Sequence, residues 1–496
     1  MNPEKTSRWF VATLAMAVTL AGAAAMTLEI AGAHTLAPGF GTGLNAWSAM
    51  ITVALGGLGC GYALGGFVAD RWSGRAAQIL SAALALSGAA CVGDAFVWYG
   101  AVCHLAGLGM RLGAVLAAAA LFFLPFVLLG AVYPLAVRLW TRDVNEVGRR
   151  SGLVSALSAA GSVAGAATAG FVLVPGLSLE AVFGCAAAVL FVAAAMVLAF
   201  GGGARIGVLV LFVGAAFAPG LPARPLGEGM LWRSSSPQGF VEVVDRDDIR
   251  YLLISGTVQG MATRDELRPL FPYVRMIAGA LQENLTSEAG ILLLGLGAGL
   301  LPRALPPGMC ESVEIDPSVA EAARRFFACD PEHYPVHIAD GRAFLMTSAR
   351  RYGAVVIDAY GGWNYPYHLL TRECFDLARR RLVPGGFLVV NFQGYLRGSE
   401  DRLLRSVERT LRSVFEEVEI CAWLERDDSG NAVLVAHGRD ARFDWPGDRH
   451  PCFETVSTFL DARPTPVLTD SRNPTELWSA VTEQHVRRSS FGRGPR

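Results

Sequence analysis

Four short strand-like runs between Ile291 and Ile357 each end in a residue suited to a ligand site. The first, Ile291 to Leu294, leads into Gly295-Leu-Gly297-Ala-Gly299. Glycines there let backbone amides come close to a ligand at the start of the next helix. About twenty residues further on, a second run ends in Val313-Glu314-Ile315-Asp316-Pro317, which places the Glu314 carboxylate where it can accept both hydrogen bonds of a ribose diol. The third, Val336 to Ile338, ends in Ala339-Asp340-Gly341, a pattern suited to gripping an adenine amino group. The fourth, Ala354 to Ile357, delivers Asp358 to the same carboxyl edge, where open α/β sheets bind their ligands. A glycine loop alone is common; glycine, Glu, Asp and Asp on four consecutive strand ends are improbable by chance and mark a ligand-binding edge.

These residues need strands alternating with helices, and residues 291–392 read in that order as one unit. Upstream, Phe240 to Val244 and Ile249 to Ile254 are β-rich runs joined by Asp245-Arg-Asp-Asp248, which predicts a hairpin before the main sheet. An amphipathic helix is expected around Asp265 to Leu281, and another at Thr371 to Arg381, with His368 as a candidate cap. The stretch Gly220 to Ser236 is rich in Pro, Gly and Ser and reads as a linker.

Before that linker the chain changes solvent. Of its 496 residues 52% are hydrophobic and only 17% charged, and the apolar excess lies in the first half. Trp9 to Ile30, Ala46 to Val68, Ala76 to Trp98, Gly113 to Pro134, Ser151 to Pro175 and Leu179 to Phe200 each supply the roughly 20 apolar residues that a bilayer core requires. A seventh stretch, Ile206 to Ala218, is short and runs into Pro219, Gly220 and Pro222, so spanning, interfacial and re-entrant readings stay open. The first segment is expected to be a retained span and not a cleaved signal peptide. Lys5 and Arg8, Arg71 and Arg75, and Arg138, Arg142, Arg149 and Arg150 alternate with poorly charged loops, which predicts a cytoplasmic amino terminus. An even number of spans returns the soluble half to the cytoplasm. The expected divisions are 1–222 as a multi-pass membrane domain, 223–478 as the adenosyl-binding domain and 479–496 as a disordered tail.

The glycine runs from Gly56 to Gly66 and from Gly161 to Gly170 read as tight helix packing. Gly61 to Arg71 also resembles a loop of major facilitator transporters, and Glu29 is a carboxylate inside the first span. Nine scattered cysteines without C-x-x-C spacing offer neither a metal site nor a disulfide framework. A formal net charge of -1 and the lack of a basic patch argue against a nucleic-acid partner.

Together, Gly295 to Gly299, Val313 to Pro317, Ala339 to Gly341, Tyr352 to Tyr360, His368-Leu-Leu-Thr-Arg-Glu373, Leu382-Val-Pro-Gly-Gly386 and Leu468-Thr-Asp-Ser-Arg-Asn-Pro474 resemble the spermidine synthase (polyamine aminopropyltransferase) family, including its membrane-fused bacterial branch. The resemblance spans roughly 236–478 and implies a Rossmann-like, methyltransferase-type α/β domain behind the helical membrane bundle. The implied chemistry is attack by a diamine such as putrescine on the methylene beside the sulfonium of decarboxylated S-adenosylmethionine, with release of methylthioadenosine. That donor is a co-substrate, and no prosthetic group or metal is implied. By the same resemblance Asp358 is the general base. Gln238, Gly295, Gly297, Gly299, Glu314, Asp340 and Gly341 hold the nucleoside. Gln259, Tyr273 and Asp358 face the amine, and Tyr360, Trp363, Tyr365 and His368 lie where the family has a gate.

The pattern departs from the family at Ala298 and Gly361, where an Asp is usual, and at Val274, where some members carry His. Asp265 and Glu266 are candidate replacements. Two other readings therefore stand beside aminopropyl transfer. One is an S-adenosylmethionine methyltransferase with a membrane-near acceptor, since an Asp at position 298 would repel the donor's carboxylate. The other is a transporter or sensor that binds nucleoside or polyamine without turnover. The expected partners are a small amine and the lipid bilayer of the cell (inner) membrane, with homo-oligomerisation left open.

Overall fold

The computed structural model describes residues 3–41, 43–141, 143–200, 228–236, 239–285, 290–360, 365–398, 401–424, 429–439, 441–447, 454–456, 458–459, 465–471, 473 and 475. The seventh apolar stretch, Gln238, Gly361, Trp363 and the tail 479–496 lie outside these residues. The chain forms two compact units, Met1–Pro225 and Leu226–Arg496.

In the first unit, six helices are long and apolar enough to cross a membrane: α1 (Trp9–Phe40), α2 (Leu44–Arg71), α3 (Ser73–Ala106), α4 (Leu112–Trp140), α5 (Val144–Gly176) and α6 (Leu179–Ala199). They include five of the six stretches expected from hydropathy in full, and the sixth all but Phe200. The glycine runs act as close-packing faces. Gly57, Gly61 and Gly65, spaced by one helical turn, face α4, and a Cβ on Gly61 would stand 2.2 Å from the Val127 carbonyl oxygen. Gly56, Gly59 and Gly66, off that face, meet nothing within 4 Å. A Cβ on Gly161 of α5 would lie 1.9 Å from the Thr19 carbonyl oxygen of α1. Helices in lipid associate largely through such backbone approach, because the tails are as apolar as the side chains.

The second unit opens with a four-stranded antiparallel sheet, β1 (Met230–Ser236), β2 (Gly239–Arg246), β3 (Ile249–Ile254) and β4 (Thr257–Thr263). The expected hairpin is its central pair, with Val241 opposite Ile254 and Arg246 opposite Ile249. The linker reading overreached at its carboxyl end. Residues 230–236 form β1, paired along β2 from Met230 opposite Val244 to Ser236 opposite Gly239.

The main sheet is mixed and eight-stranded, in the order β12-β10-β11-β9-β8-β5-β6-β7. Its strands are β5 (Ile291–Leu294), β6 (Cys310–Glu314), β7 (Val336–Ile338), β8 (Tyr352–Ile357), β9 (Leu382–Tyr395), β10 (Glu417–Leu424), β11 (Ser429–His437) and β12 (Glu454–Val456). Strands β7, β6, β5, β8 and β9 are mutually parallel, and β11 runs antiparallel to β9. Both faces are covered, so alternate residues of one strand enter different cores. Ile291, Leu293, Val356 and Val389 pack on one side, and Leu292, Leu294, Val355 and Val390 on the other.

The helix expected at Asp265 begins later, as α7 (Pro272–Asn284). Pro272 at its first turn suits a helix start because its missing N–H is unpaired there in any case, whereas Leu267 at φ +54° leaves helical space upstream. Asp265 and Glu266 therefore sit in an exposed turn, with Glu266 paired to Arg268. They do not replace the missing carboxylates. The later helix, Arg372–Arg380, is capped by Thr371, whose hydroxyl accepts from Cys374 N–H at 3.2 Å, so His368 is not its cap.

Candidate active site

The chain runs outward from β5 through β6 to β7, then crosses back to place β8 on the other side of β5. Such a reversal opens a crevice at the carboxyl ends of the two strands, the usual ligand position in open α/β sheets. Across the parallel strands the ends present Asn391 in β9, Asp358 after β8, Gly295 after β5, Glu314 at the end of β6 and Asp340 after β7.

Gly295 lies at the reversal, at φ +94°, and a Cβ there would stand 2.2 Å from the Asp358 carbonyl oxygen. Gly299, at φ +69°, is closed off by Cys329, whose Cβ would be 2.6 Å away. These two glycines are thus required by packing within the protein. Only Gly297 of the three has room, with its nearest neighbour, the Gln259 carbonyl oxygen, 3.7 Å from a built Cβ. Strand β4 therefore borders the glycine loop, and a Cβ on Gly260 would approach the Ala298 methyl to 2.5 Å. Gln259 is beside the loop.

Asp358 is the centre of a hydrogen-bonded group. Asn391 donates from Nδ2 to Asp358 Oδ1 at 2.7 Å, and the Tyr273 hydroxyl donates to the same carboxylate. Asn431 of β11 in turn donates to Asn391 Oδ1 at 2.8 Å, which fixes the amide so that its NH2 faces Asp358. The Tyr360 hydroxyl donates to the Asn391 carbonyl oxygen at 2.7 Å, and Tyr365 receives the Gln393 N–H at 2.7 Å and donates to the Gln393 carbonyl oxygen. Burial pushes the Asp358 carboxyl up to about 6, against the lowering by Asn391 and Tyr273. Burial and the adjacent Asp358 charge hold the Tyr273 phenol well above its ordinary range, so it stays a neutral donor.

Glu314 is buried and its oxygens hold the loop: Oε2 accepts from Leu296 N–H at 3.0 Å and Oε1 from Asp316 N–H at 2.9 Å. Burial raises its carboxyl despite these bonds. Ile315 N–H also donates to this carboxylate, which leaves it one lone pair for an incoming hydroxyl. Asp340 caps the helix Gly341–Thr347 by accepting from Ala343 N–H at 2.9 Å, and its other oxygen accepts from His368 Nε2 at 2.9 Å. Burial pushes this carboxyl up, but the Ala343 and His368 hydrogen bonds hold it below the ordinary carboxylate range.

The closing sequence motif anchors the His368 segment. Arg342 makes a forked pair to Asp470 at 2.6 and 2.5 Å and also donates to the His368 carbonyl oxygen at 3.2 Å. Asn473 donates to the Tyr367 carbonyl oxygen at 2.7 Å.

The structure thus joins Asp358 and Tyr273, sets Gln259 against the glycine loop, and places Glu314 and Asp340 on the neighbouring strand ends. Sequence reasoning missed Asn391 and Asn431 as partners of Asp358, and His368 as the partner of Asp340. A signal existed for Asn391: it is the one polar residue in Phe387-Leu-Val-Val-Asn-Phe392, at the end of a strand parallel to those already singled out.

No family model matches the chain. Over 177 residues it is 35% identical to a polyamine aminopropyltransferase of Vibrio vulnificus (strain CMCP6), covering 34% of this chain and 56% of the relative. Over 184 residues it is 30% identical to a polyamine aminopropyltransferase of Chromobacterium violaceum, covering 36% of this chain and 68% of that protein. The chain thus spans little more than half the length of the first of these relatives. Among solved structures, the spermidine synthase of Thermotoga maritima aligns with a TM-score of 0.35 and 16% identity, over 53% of this chain and 87% of that one.

The raised Asp358 carboxyl makes a stability prediction whose sign is fixed. Its folded value of about 6 lies above the unfolded value, so the folded state holds the proton more tightly and stability falls as pH rises from about 4 to about 6. Asp358→Asn removes that fall, and the ligand-free full-length variant should be more stable than the parent at pH 7 by on the order of 2 kcal/mol, and no more stable at pH 4. Thermal melts across that range would show it. A variant that is less stable than the parent at pH 7 contradicts the burial account.

Proposed function

The chain belongs to the spermidine synthase family, and from that premise we propose that it is a polyamine aminopropyltransferase using decarboxylated S-adenosylmethionine and a diamine such as putrescine. The observation that supports this reading most is the placement of Asp358. It is a partly buried carboxylate at the sheet reversal, held by Asn391 and Tyr273 and raised to about 6. An alkylammonium nucleophile must lose a proton before it can attack, and a carboxylate raised toward the ammonium's own range is a better acceptor than an ordinary one.

In this reading the glycine loop and Glu314 bind the nucleoside, with Glu314 taking a ribose hydroxyl on its remaining lone pair. Asp340, together with His368, borders the adenine end, and Gln238 is assigned to the nucleoside by resemblance alone. Gln259 and Tyr273 line the amine side. Asp358 accepts the proton from the ammonium. The freed nitrogen lone pair forms a bond to the methylene carbon, the carbon–sulfur bond breaks with its electron pair moving to sulfur, and the sulfonium becomes the neutral thioether of methylthioadenosine. Since sulfonium leaves readily, alignment and proton removal are the main tasks of the protein.

Ala298 supports a second reading. With no carboxylate in the glycine loop, the site also suits intact S-adenosylmethionine, whose own carboxylate an Asp would repel, and hence methyl transfer.

We also place the enzyme in the cell membrane with its catalytic unit in the cytoplasm. Six spans and the clustering of arginines at alternate ends support that side. Green fluorescent protein fused after Arg496 should fluoresce and alkaline phosphatase fused there should stay inactive; the reverse pattern would put the catalytic unit outside.

For the chemistry, Asp358→Asn should lower turnover by at least a hundredfold while nucleoside binding stays within a fewfold of the parent. In the parent enzyme kcat/KM should fall as pH drops through about 6, because the reactive form of Asp358 is the carboxylate. Retained turnover in the Asn variant would remove Asp358 from the mechanism.

A further inference from the structure

The membrane unit buries two carboxylates that none of the chemistry above uses. Asp94 of α3 is 7% exposed and Glu180, in the first turn of α6, is also 7% exposed. Asp94 Oδ2 has no hydrogen-bond partner, and neither has the hydroxyl of Ser87 on the same helix. Ser87, Cys91, Asp94 and Trp98 recur at the spacing of one helix face, and all four are buried. The adjoining face of α3 packs against α6, and Trp98 reaches α6 from this one. The Ser81 hydroxyl donates to the Ala194 carbonyl oxygen at 2.8 Å, a Cβ on Gly88 would lie 3.2 Å from the Ala187 carbonyl oxygen, and Trp98 Nε1 donates to Glu180 Oε1 at 3.3 Å. These contacts run in antiparallel register, so Glu180 lies beside Trp98, about one turn from Asp94 along the helix axis.

Helix α1 carries a further carboxylate, the half-buried Glu29. Gly39 packs against Val102 and Ala106 of α3, and the two helices run in the same direction. His34, one turn beyond Glu29, already has Nδ1 against the Ile30 carbonyl oxygen at 3.1 Å. Among the described residues of these three spans the sole Lys or Arg is Arg75, about 28 Å from Asp94 along α3. Among the described residues of these three spans, no Lys or Arg lies near the acids.

A carboxylate buried in a membrane bundle without a donor or counter-charge is costly and marks a binding site by default. The described residues include no group of three or more metal-ligating side chains, which argues against a metal ion. The Trp98 indole beside Glu180 favours an organic cation, whose ammonium hydrogens can meet carboxylates while its carbon chain lies on an aromatic face. We propose that Asp94 and Glu180, with Ser87 and Trp98, form an intramembrane site for an alkylammonium ion. The site belongs wholly to the membrane unit and stands whether or not the reading of the soluble unit is right.

The test uses the full-length protein in lipid nanodiscs, carrying Asp358→Asn so that the soluble unit's candidate amine ligand is silent, with radiolabelled putrescine as the probe. Saturable binding is expected, accompanied by a rise in melting temperature. Adding Asp94→Asn should weaken that binding at least tenfold and abolish the thermal shift, and Glu180→Gln should weaken it as well. Without putrescine the Asp94→Asn protein should melt no lower than its parent, since the change removes an unpaired buried acid. Binding indifferent to Asp94→Asn overturns the proposal, as does the absence of saturable binding. A lower melting temperature in the variant would make Asp94 structural, and a melting temperature that responds to pH but not to putrescine would make the site one for protons only; either result overturns it.

Discussion

The soluble unit depends on one close approach. At the sheet reversal, β5 and β8 lie side by side with Leu294 opposite Ile357, and the next residue of β5, Gly295, presses against the Asp358 carbonyl oxygen. Any side chain at position 295 would force the strand ends apart. That separation would move Asp358 away from the glycine loop, and with it the backbone amides that Glu314 holds from the next strand. The nucleoside end and the proton-accepting end of the crevice are thereby fixed to each other through a contact that only glycine permits.

Once Asp358 is held there, its surroundings determine its chemistry. Burial raises its carboxyl, and Asn391 and Tyr273 limit the rise by donating to the ionised form. Asn431 fixes which end of the Asn391 amide points at the acid, from a strand that is antiparallel and far along the chain. The opposite end of the row is arranged differently. Asp340 is held below the ordinary carboxylate range by the Ala343 N–H and by His368, and His368 is placed by a segment that Arg342, Asp470 and Asn473 tie down. The closing motif of the chain therefore acts on the site through its anchoring of the His368 segment.

Much of this was legible in the sequence, for a physical reason. Parallel strands buried on both faces read as continuous apolar runs, so their ends, and the Gly, Glu and Asp residues placed there, stand out. The six spans are equally plain, because a bilayer demands length and apolarity together. What stayed hidden depends on tertiary pairing. Asn391 and Asn431 meet only because β9 and β11 are neighbours, and His368 reaches Asp340 only through a folded loop, so neither pair has a local signature. The helix expected from Asp265 starts only at Pro272, because Leu267 at positive φ leaves helical space upstream, and Asp94 sits inside an otherwise apolar span whose sequence gives no sign of its burial. Gln238 and Gly361, by contrast, lie outside the described residues, and their roles rest on resemblance.

The central claim is aminopropyl transfer from a decarboxylated donor, and donor preference tests it most directly. Calorimetric titration of the detergent-purified protein with S-adenosylmethionine, its decarboxylated form and methylthioadenosine, followed by turnover with putrescine, gives that preference. The account predicts tighter binding of the decarboxylated donor and release of methylthioadenosine, even though Ala298 replaces the usual acid. Preference for intact S-adenosylmethionine with no product from putrescine would contradict it and leave methyl transfer as the reading that fits the site.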